Sequence, residues 1–150
     1  MTAGELAAEA RAMIHSGAPA RLIAGTNNQA RRAPSAPDLA GIWPRSAAVL
    51  ARQALEQGLD DFWGARAPRV REVSRHAQLL CLGAYLQDDK VVSGVRSAWH
   101  GLSRACHHHV YELSPTATEL ERWLDAVDAL LAYDPIRPTP SSGPRPRSLA

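Results

Sequence analysis

Proline spacing is the feature that most constrains how this chain folds. Between Pro44 and Pro135 only Pro68 and Pro115 interrupt the sequence. Because proline cannot continue a helix interior, these residues divide that part of the chain into separate segments. Within each segment apolar residues recur every three or four positions, as they do on one face of an α-helix. Alanine is abundant, whereas isoleucine and phenylalanine are scarce, which favours helices over strands. The sequence therefore predicts an all-α fold.

The pattern predicts four helices joined by short turns. Trp43-Pro44 suits a first helical turn, and Thr116 with Glu119 forms a capping-box pattern at the start of the last helix. The run at 79–82 is apolar nearly all round, so the second of these helices is predicted to be the most buried. Short turns favour an antiparallel four-helix bundle. The predicted helices cover residues 44–66, 70–86, 89–113 and 116–134.

The chain divides into three parts around that bundle, which spans 43–134. Residues 1–42 begin with a short amphipathic helix, for which Thr2 and Glu5 form a capping box. A stretch rich in Gly, Pro, Ser and Asn follows, and we interpret it as a linker. This N-terminal helix is therefore expected to be an appendage to the bundle. Residues 135–150 are rich in proline and arginine, which predicts a disordered, solvated tail.

Composition limits the compartment and the partners of the protein. The formal net charge is only +2, which excludes a histone-like polycation but allows a local basic patch. No apolar run approaches the roughly 18 residues that a membrane span needs, and the N-terminus lacks the basic start and apolar core of a secretion signal. Cys81 and Cys106 lie in apolar helical patterns, as buried thiols of a reducing compartment do. We expect a cytoplasmic protein with no membrane partner.

Histidines are the unusual feature of the sequence. Four of the six fall within ten residues, at His100, His107, His108 and His109. Consecutive helical residues point about 100° apart, so three histidines in a row cannot converge on one ion. No two histidines have the i, i+4 spacing that suits zinc on a helix. We therefore expect no metal or other cofactor within one chain, and a metal site formed by His107–His109 between subunits stays open as a weaker hypothesis.

Residues 104–111 read Arg-Ala-Cys-His-His-His-Val-Tyr, which matches the R-x4-H-x-Y motif of HEPN-domain ribonucleases. The chain resembles this family over the motif and the helical plan from about Trp43 to Tyr133. The resemblance implies a metal-independent endoribonuclease, often the toxin of a toxin–antitoxin pair with a minimal nucleotidyltransferase, acting on tRNA or mRNA. It also implies that Arg104 and His109 are catalytic, and that the partner can modify Tyr111. One departure is Ala105, where family members often have a polar residue.

Residues 71–78 hold a second copy of the Arg and His spacing, in Arg71 and His76, but Gln78 stands where the tyrosine would be. The copy at 104–111 is therefore the better candidate. Other residues are candidates for contacts with RNA phosphates. They are His100, His107 and His108 near the motif, and Arg66, Arg69 and Arg71 at the turn after the first bundle helix.

RNA supplies its own nucleophile in the 2′-hydroxyl group. His109 can take the hydroxyl proton, because imidazole titrates near neutral pH. Arg104 can hold the scissile phosphate with two parallel hydrogen bonds. On a continuous helix the two side chains point about 140° apart, which a homodimer with a composite site resolves most simply. The alternative is a non-catalytic HEPN-like helical module that binds a nucleotide, or that grips a protein partner with its N-terminal helix.

Overall fold

The computed structural model describes residues 1–16, 43–107 and 113–133, and all regular secondary structure in these ranges is helical. The prediction of an all-α chain is confirmed for these residues. The linker expected after the first helix and the expected tail at 135–150 lie outside them. The helices are α1 (Ala3–Ser16), α2 (Trp43–Arg66), α3 (Pro68–Arg71), α4 (Arg75–Tyr85), α5 (Asp89–Cys106) and α6 (Ala117–Leu131).

Side-chain caps set the starts of four of these helices, α1, α4, α5 and α6. At α1 the Thr2 backbone N–H donates to Glu5 Oε2 (2.7 Å), and the Glu5 N–H donates to Thr2 Oγ1 (3.3 Å). Thr116 and Glu119 form the same reciprocal pair at α6. Asp88 caps α5 by accepting from two backbone N–H groups of the first turn. Because a cap satisfies N–H groups that the helix leaves without a partner, these starts follow from local sequence.

The N-terminal helix is part of the core, so the prediction that it is an appendage to the bundle is wrong. Leu6, Ala7 and Ala10 are buried in the same hydrophobic cluster as the alanines of α2, and α2 is the helix against which α1 packs most extensively. Alanine adds little apolar area, which made this face look weak in the sequence. Its small size nevertheless lets the two backbones approach closely, because no large side chain separates them.

Ion pairs also attach α1 to α6. The Arg11 guanidinium donates to Glu121 Oε2 (3.1 Å), Asp125 Oδ1 (2.7 Å) and Asp128 Oδ2 (2.7 Å). These acidic residues lie within about two turns of α6, so a single side chain bridges that length of the helix. These carboxylates of α6 are therefore a docking surface for α1.

The helix α4 is not the most buried one, which contradicts the sequence prediction. It buries only Gln78, Leu79 and Leu82, whereas Leu80 is 63% exposed. The helix also begins at Arg75 rather than Val70, because Ser74 caps it by accepting from the Ala77 N–H. α4 packs mainly on α5, whereas α1 packs on α2 and α6.

The longest predicted helix is shorter than expected. α5 ends at Cys106 instead of continuing to residue 113, and His107 has an extended backbone (φ −82°, ψ 113°). Leu113, which the apolar pattern placed in the core, is 97% exposed. Arg104 therefore lies in the last turn of α5. His108, His109 and Tyr111 lie outside the described residues.

The ends of the helices show how they run. Arg45 at the start of α2, Glu119 at the start of α6 and Arg104 at the end of α5 line one cleft. At the opposite end, Arg66 of α2 donates to the carbonyl of Tyr133, two residues after α6. α2 and α6 thus run in the same direction and α5 runs against both. In the ranges that the structure describes, no helix is both long and apolar enough to span a membrane.

Candidate functional site

A cleft of about 430 Å³ opens where α2 and α6 begin and α5 ends. Its polar and charged lining includes Arg45, Arg104, His107 and Glu119, and the Trp123 ring lies at its wall. The cleft brings together groups from three helices that are far apart in sequence. Two of the residues singled out from the motif, Arg104 and His107, are among them. Both are exposed, so a ligand can reach them.

Close approach of α5 and α6 shapes the wall of this cleft. Gly101 is buried, and a Cβ at this position would overlap the Trp123 ring atoms Cζ2 and Cε2. The indole therefore lies directly against the α5 backbone, one turn before Arg104. Only glycine leaves this space. Nothing in the local sequence distinguishes Gly101 from the other helical glycines, so sequence reasoning missed this pair.

Arg104 and the Glu119 carboxylate are opposite charges that line the same cleft. The Glu119 carboxylate accepts from the Thr116 backbone N–H and hydroxyl (2.9 and 3.0 Å). These hydrogen bonds, helped by the positive charges of Arg122 and Arg104, hold the pKa of Glu119 below its ordinary value. Glu119 is therefore ionised at neutral pH, and its Oε2 accepts both hydrogen bonds of the helix cap. The guanidinium of Arg104 is exposed in the same cleft, and a guanidinium can offer two parallel hydrogen bonds to a phosphate.

Of the remaining candidates near the motif, the structure describes only His100. His100 is exposed on α5 and precedes Arg104 by four residues, so the two share a face of the helix. His108, His109 and Tyr111, which include the proposed base and the proposed modification site, lie outside the described residues. The structure thus positions one of the two motif residues that the resemblance makes catalytic.

The arginines at the turn after α2 lie far from this cleft. Arg45 and Arg66 are separated by 21 helical residues of α2, which is roughly 30 Å. Arg66 stacks over the Phe62 ring (4.2 Å to the centroid) and bonds the Tyr133 carbonyl (3.3 Å), so it serves the core. Arg69 and Arg71 are exposed on α3. The structure does not bring Arg66, Arg69 or Arg71 together with Arg104.

The second copy of the Arg and His spacing, at residues 71–78, spans the turn between α3 and α4. Gln78, which stands in place of the tyrosine, is only 2% exposed. Its amide nitrogen donates to the carbonyls of Arg71 (2.9 Å) and Val73 (3.1 Å), and its oxygen accepts from Arg75 (2.6 Å). These bonds hold the turn between α3 and α4. This copy of the pattern stabilises a turn rather than lining a cleft.

A second cluster of polar groups lies between α2, α4 and α5. The guanidinium of Arg52 lies over the Trp99 ring at 4.8 Å from its centroid, and that of Arg75 at 6.0 Å. Both arginines are paired, Arg52 with Glu56 and Arg75 with Asp60, at 3.0 Å each. Because each guanidinium has a carboxylate partner, this cluster is a packing arrangement around Trp99.

No three His, Cys, Asp or Glu side chains within 1–16, 43–107 and 113–133 lie close enough to hold a metal ion together. The two cysteines are both free. Comparison of the chain with protein-family models, with curated proteins and with solved structures gives no match.

Proposed function

We propose that this protein is a metal-independent endoribonuclease of the HEPN toxin type, with a helical bundle of that family's plan. The observation that carries the proposal is the position of Arg104. It is the first residue of the R-x4-H-x-Y sequence, and it is exposed at an open cleft that also contains His107 and Arg45. The two arginine cations of this cleft suit a phosphodiester.

In the proposed reaction His109 removes the proton of a 2′-hydroxyl group as the 2′-oxygen attacks the adjacent phosphorus. The bond from phosphorus to the 5′-oxygen breaks, and that oxygen takes a proton from water, to which His109 returns the proton that it removed. Arg104 stabilises the negative charge that develops on the phosphorane oxygens. The products are a 2′,3′-cyclic phosphate and a 5′-hydroxyl, so no metal or other cofactor takes part.

The proposed active form is a homodimer. A continuous helix would have set Arg104 and His109 about 140° apart, but α5 ends at Cys106. Helical geometry therefore does not impose that angle, and the composite site rests on the resemblance to HEPN ribonucleases. We extend the proposal to the expected setting, which is a cytoplasmic toxin acting on tRNA or mRNA. A nucleotidyltransferase antitoxin would silence it by modifying Tyr111.

Substitution of the motif residues tests this function. In buffer containing EDTA, Arg104→Ala and His109→Ala are each expected to reduce RNA cleavage by about 10²- to 10⁴-fold. His76→Ala is a matched control, because His76 is exposed on α4 and belongs to the copy that lacks the tyrosine. Arg104→Lys keeps the charge but not the paired hydrogen bonds, and should recover little activity. Cleavage at the wild-type rate in either alanine variant, with an unchanged circular dichroism spectrum, contradicts the proposal.

One observation favours a second candidate, a non-catalytic module that binds a nucleotide. The ionised Glu119 carboxylate lies on the cleft wall near Arg104 and would repel a second phosphate of a polyanion. In this version a nucleotide binds with micromolar affinity and no RNA is cut, which calorimetry with a nucleoside monophosphate would detect. An adaptor that grips its partner with α1 is not proposed, because the apolar face of α1 is buried in the core.

A further inference from the structure

A second cleft, of about 470 Å³, lies along α5 and α6 beside the first. Lys90 and Arg122 are its cationic side chains, and Ser93 and Ser97 add hydroxyl groups. Trp123 lines both clefts, so the two are adjacent along the pair of helices, and we refer to them together as the groove. This groove is not part of the R-x4-H-x-Y sequence.

The side chains of the second cleft suit a phosphodiester backbone. Lys90 and Arg122 outnumber the single acid, Asp89, and hydroxyl groups commonly bond phosphate oxygens without reading the base. Lys90, Ser93 and Ser97 recur at three- and four-residue spacing, so they form a line along α5. His100 and Arg104 continue the same line toward the first cleft. Cations and donors thus follow one helix face from its start to its end.

The dimensions of the groove indicate how long its ligand is. Lys90 and Arg104 are 14 residues apart on α5, which corresponds to about 21 Å. A stacked strand rises about 3.4 Å per nucleotide, so roughly six nucleotides cover this distance. Packed helix axes lie about 8–10 Å apart, which leaves a groove between them too narrow for a duplex.

We propose that the Lys90–Arg122 cleft is a phosphate-binding subsite that extends the Arg104 cleft, and that the substrate is a single strand of at least about six nucleotides. The inference rests on the proposed function, because it names the substrate class of that site. A mononucleotide or dinucleotide would fill only the Arg104 cleft. Contacts to the backbone at the second cleft would then give affinity without sequence selection.

Binding of uncleavable oligonucleotides tests the subsite separately from catalysis. Fluorescence anisotropy is measured with labelled single-stranded DNA of two, four, six, eight and ten nucleotides, because DNA lacks the nucleophilic 2′-hydroxyl. For the wild-type protein we expect affinity to rise with length up to about six nucleotides and then to level off. For the double variant Lys90→Ala/Arg122→Ala we expect affinity to stop rising at a shorter oligonucleotide length. The slope of log Kd against log salt should fall by about 1.4, since each phosphate contact on a single strand contributes about 0.7.

The matched control is Lys90→Arg/Arg122→Lys, which keeps both charges and is expected to retain the wild-type length dependence and salt slope. Equal affinity of the alanine variant and the wild type for every length overturns the subsite. Preference for a duplex of the same length also overturns it. Failure of the proposed function is a different result, in which eight-nucleotide RNA binds as DNA does but is not cleaved. Binding with the expected length dependence then leaves the subsite standing.

Discussion

Gly101 determines how closely α5 and α6 approach. The indole of Trp123 occupies the space that any other residue's Cβ would fill, and the same ring borders both clefts of the groove. A change at this glycine therefore affects stability and the shape of the groove together. Cores resist added methyl groups because their side chains already fill the available volume.

We predict that Gly101→Ala lowers the free energy of unfolding by about 1–3 kcal/mol, because the added methyl group must displace Trp123. Urea unfolding followed by circular dichroism measures this. Gly4→Ala is the matched control, since Gly4 lies on α1 with no atom within 4 Å of the added methyl group. It should gain up to about 1 kcal/mol from helix propensity. Equal stability of the two variants would show that Trp123 can move without cost.

Cys106 gives a second prediction at the residue scale. Burial raises the pKa of its thiol above the ordinary value, and the nearby positive charge of Arg52 only partly opposes this effect. The neutral thiol is therefore favoured in the folded protein. In a Cys81→Ser background we expect iodoacetamide to react with Cys106 more slowly in the folded protein than in urea at pH 8.

The pKa of Cys106 also sets the direction of a stability change. Because the folded-state pKa is raised, the unfolded chain loses its thiol proton first as the pH increases. The contribution of Cys106 to the free energy of unfolding is thus constant below the unfolded-state pKa and falls as the pH rises through that value. Cys106→Ser in the same background should remove this alkaline decrease. A folded thiol that reacts as fast as the unfolded one contradicts the prediction.

Capping boxes set the starts of α1 and α6. Hydrogen bonds from the Thr2 backbone and hydroxyl lower the pKa of Glu5 in the first helix, as those from Thr116 do for Glu119 in the last. In both helices the carboxylate accepts the N–H of the capping residue, and the lowered pKa shows that ionisation strengthens the cap. These elements depend on only four consecutive residues each, which is why the sequence predicts them.

We predict that Thr116→Ala lowers the free energy of unfolding by about 1 kcal/mol at pH 7, as the loss of an N-cap does. Because the folded-state pKa of Glu119 is lowered, its contribution is present above the unfolded-state pKa and is lost as the pH falls through the folded-state value. The difference between wild type and Glu119→Gln should accordingly shrink from pH 7 to pH 3. Urea unfolding at both values measures this, with Thr118→Ala, in the same turn, as the control.

The bundle as a whole depends on α1, which joins its core. Leu6 is buried against α2 and its neighbours, and Arg11 bridges to α6. Since small proteins have few core residues, the loss of one is felt in the stability of the entire molecule. Burial of α1 also removes its apolar face from any role in gripping a partner.

We predict that Leu6→Ala lowers the free energy of unfolding by about 2–3 kcal/mol in a single cooperative transition. Val49→Ala is the matched control, because Val49 is 43% exposed on α2 and its truncation should cost less than about 0.5 kcal/mol. The measurement is thermal and urea unfolding. If α1 were a separate appendage, Leu6→Ala would cost no more than Val49→Ala.

The candidate site was only partly accessible from the sequence. The motif led to Arg104, and the structure places that residue at a cleft. Arg45, Glu119 and Trp123 carry no local signal, because they come from two other helices and become neighbours only when the bundle forms. The end of α5 at Cys106 was also missed, since the apolar spacing continues past it to Leu113 while the helix does not.

By itself the sequence determined where most helices begin and where α2 ends, because prolines and capping residues act over a few neighbouring positions. It also determined that the chain is helical, through alanine content and apolar spacing. Only the tertiary structure decided that α1 belongs to the core and that α4 lies on its edge. Those outcomes depend on how helix surfaces that are distant in sequence pack against one another. The shape of a helix face, as well as its hydrophobicity, decides whether an alanine face or a leucine-rich face is buried.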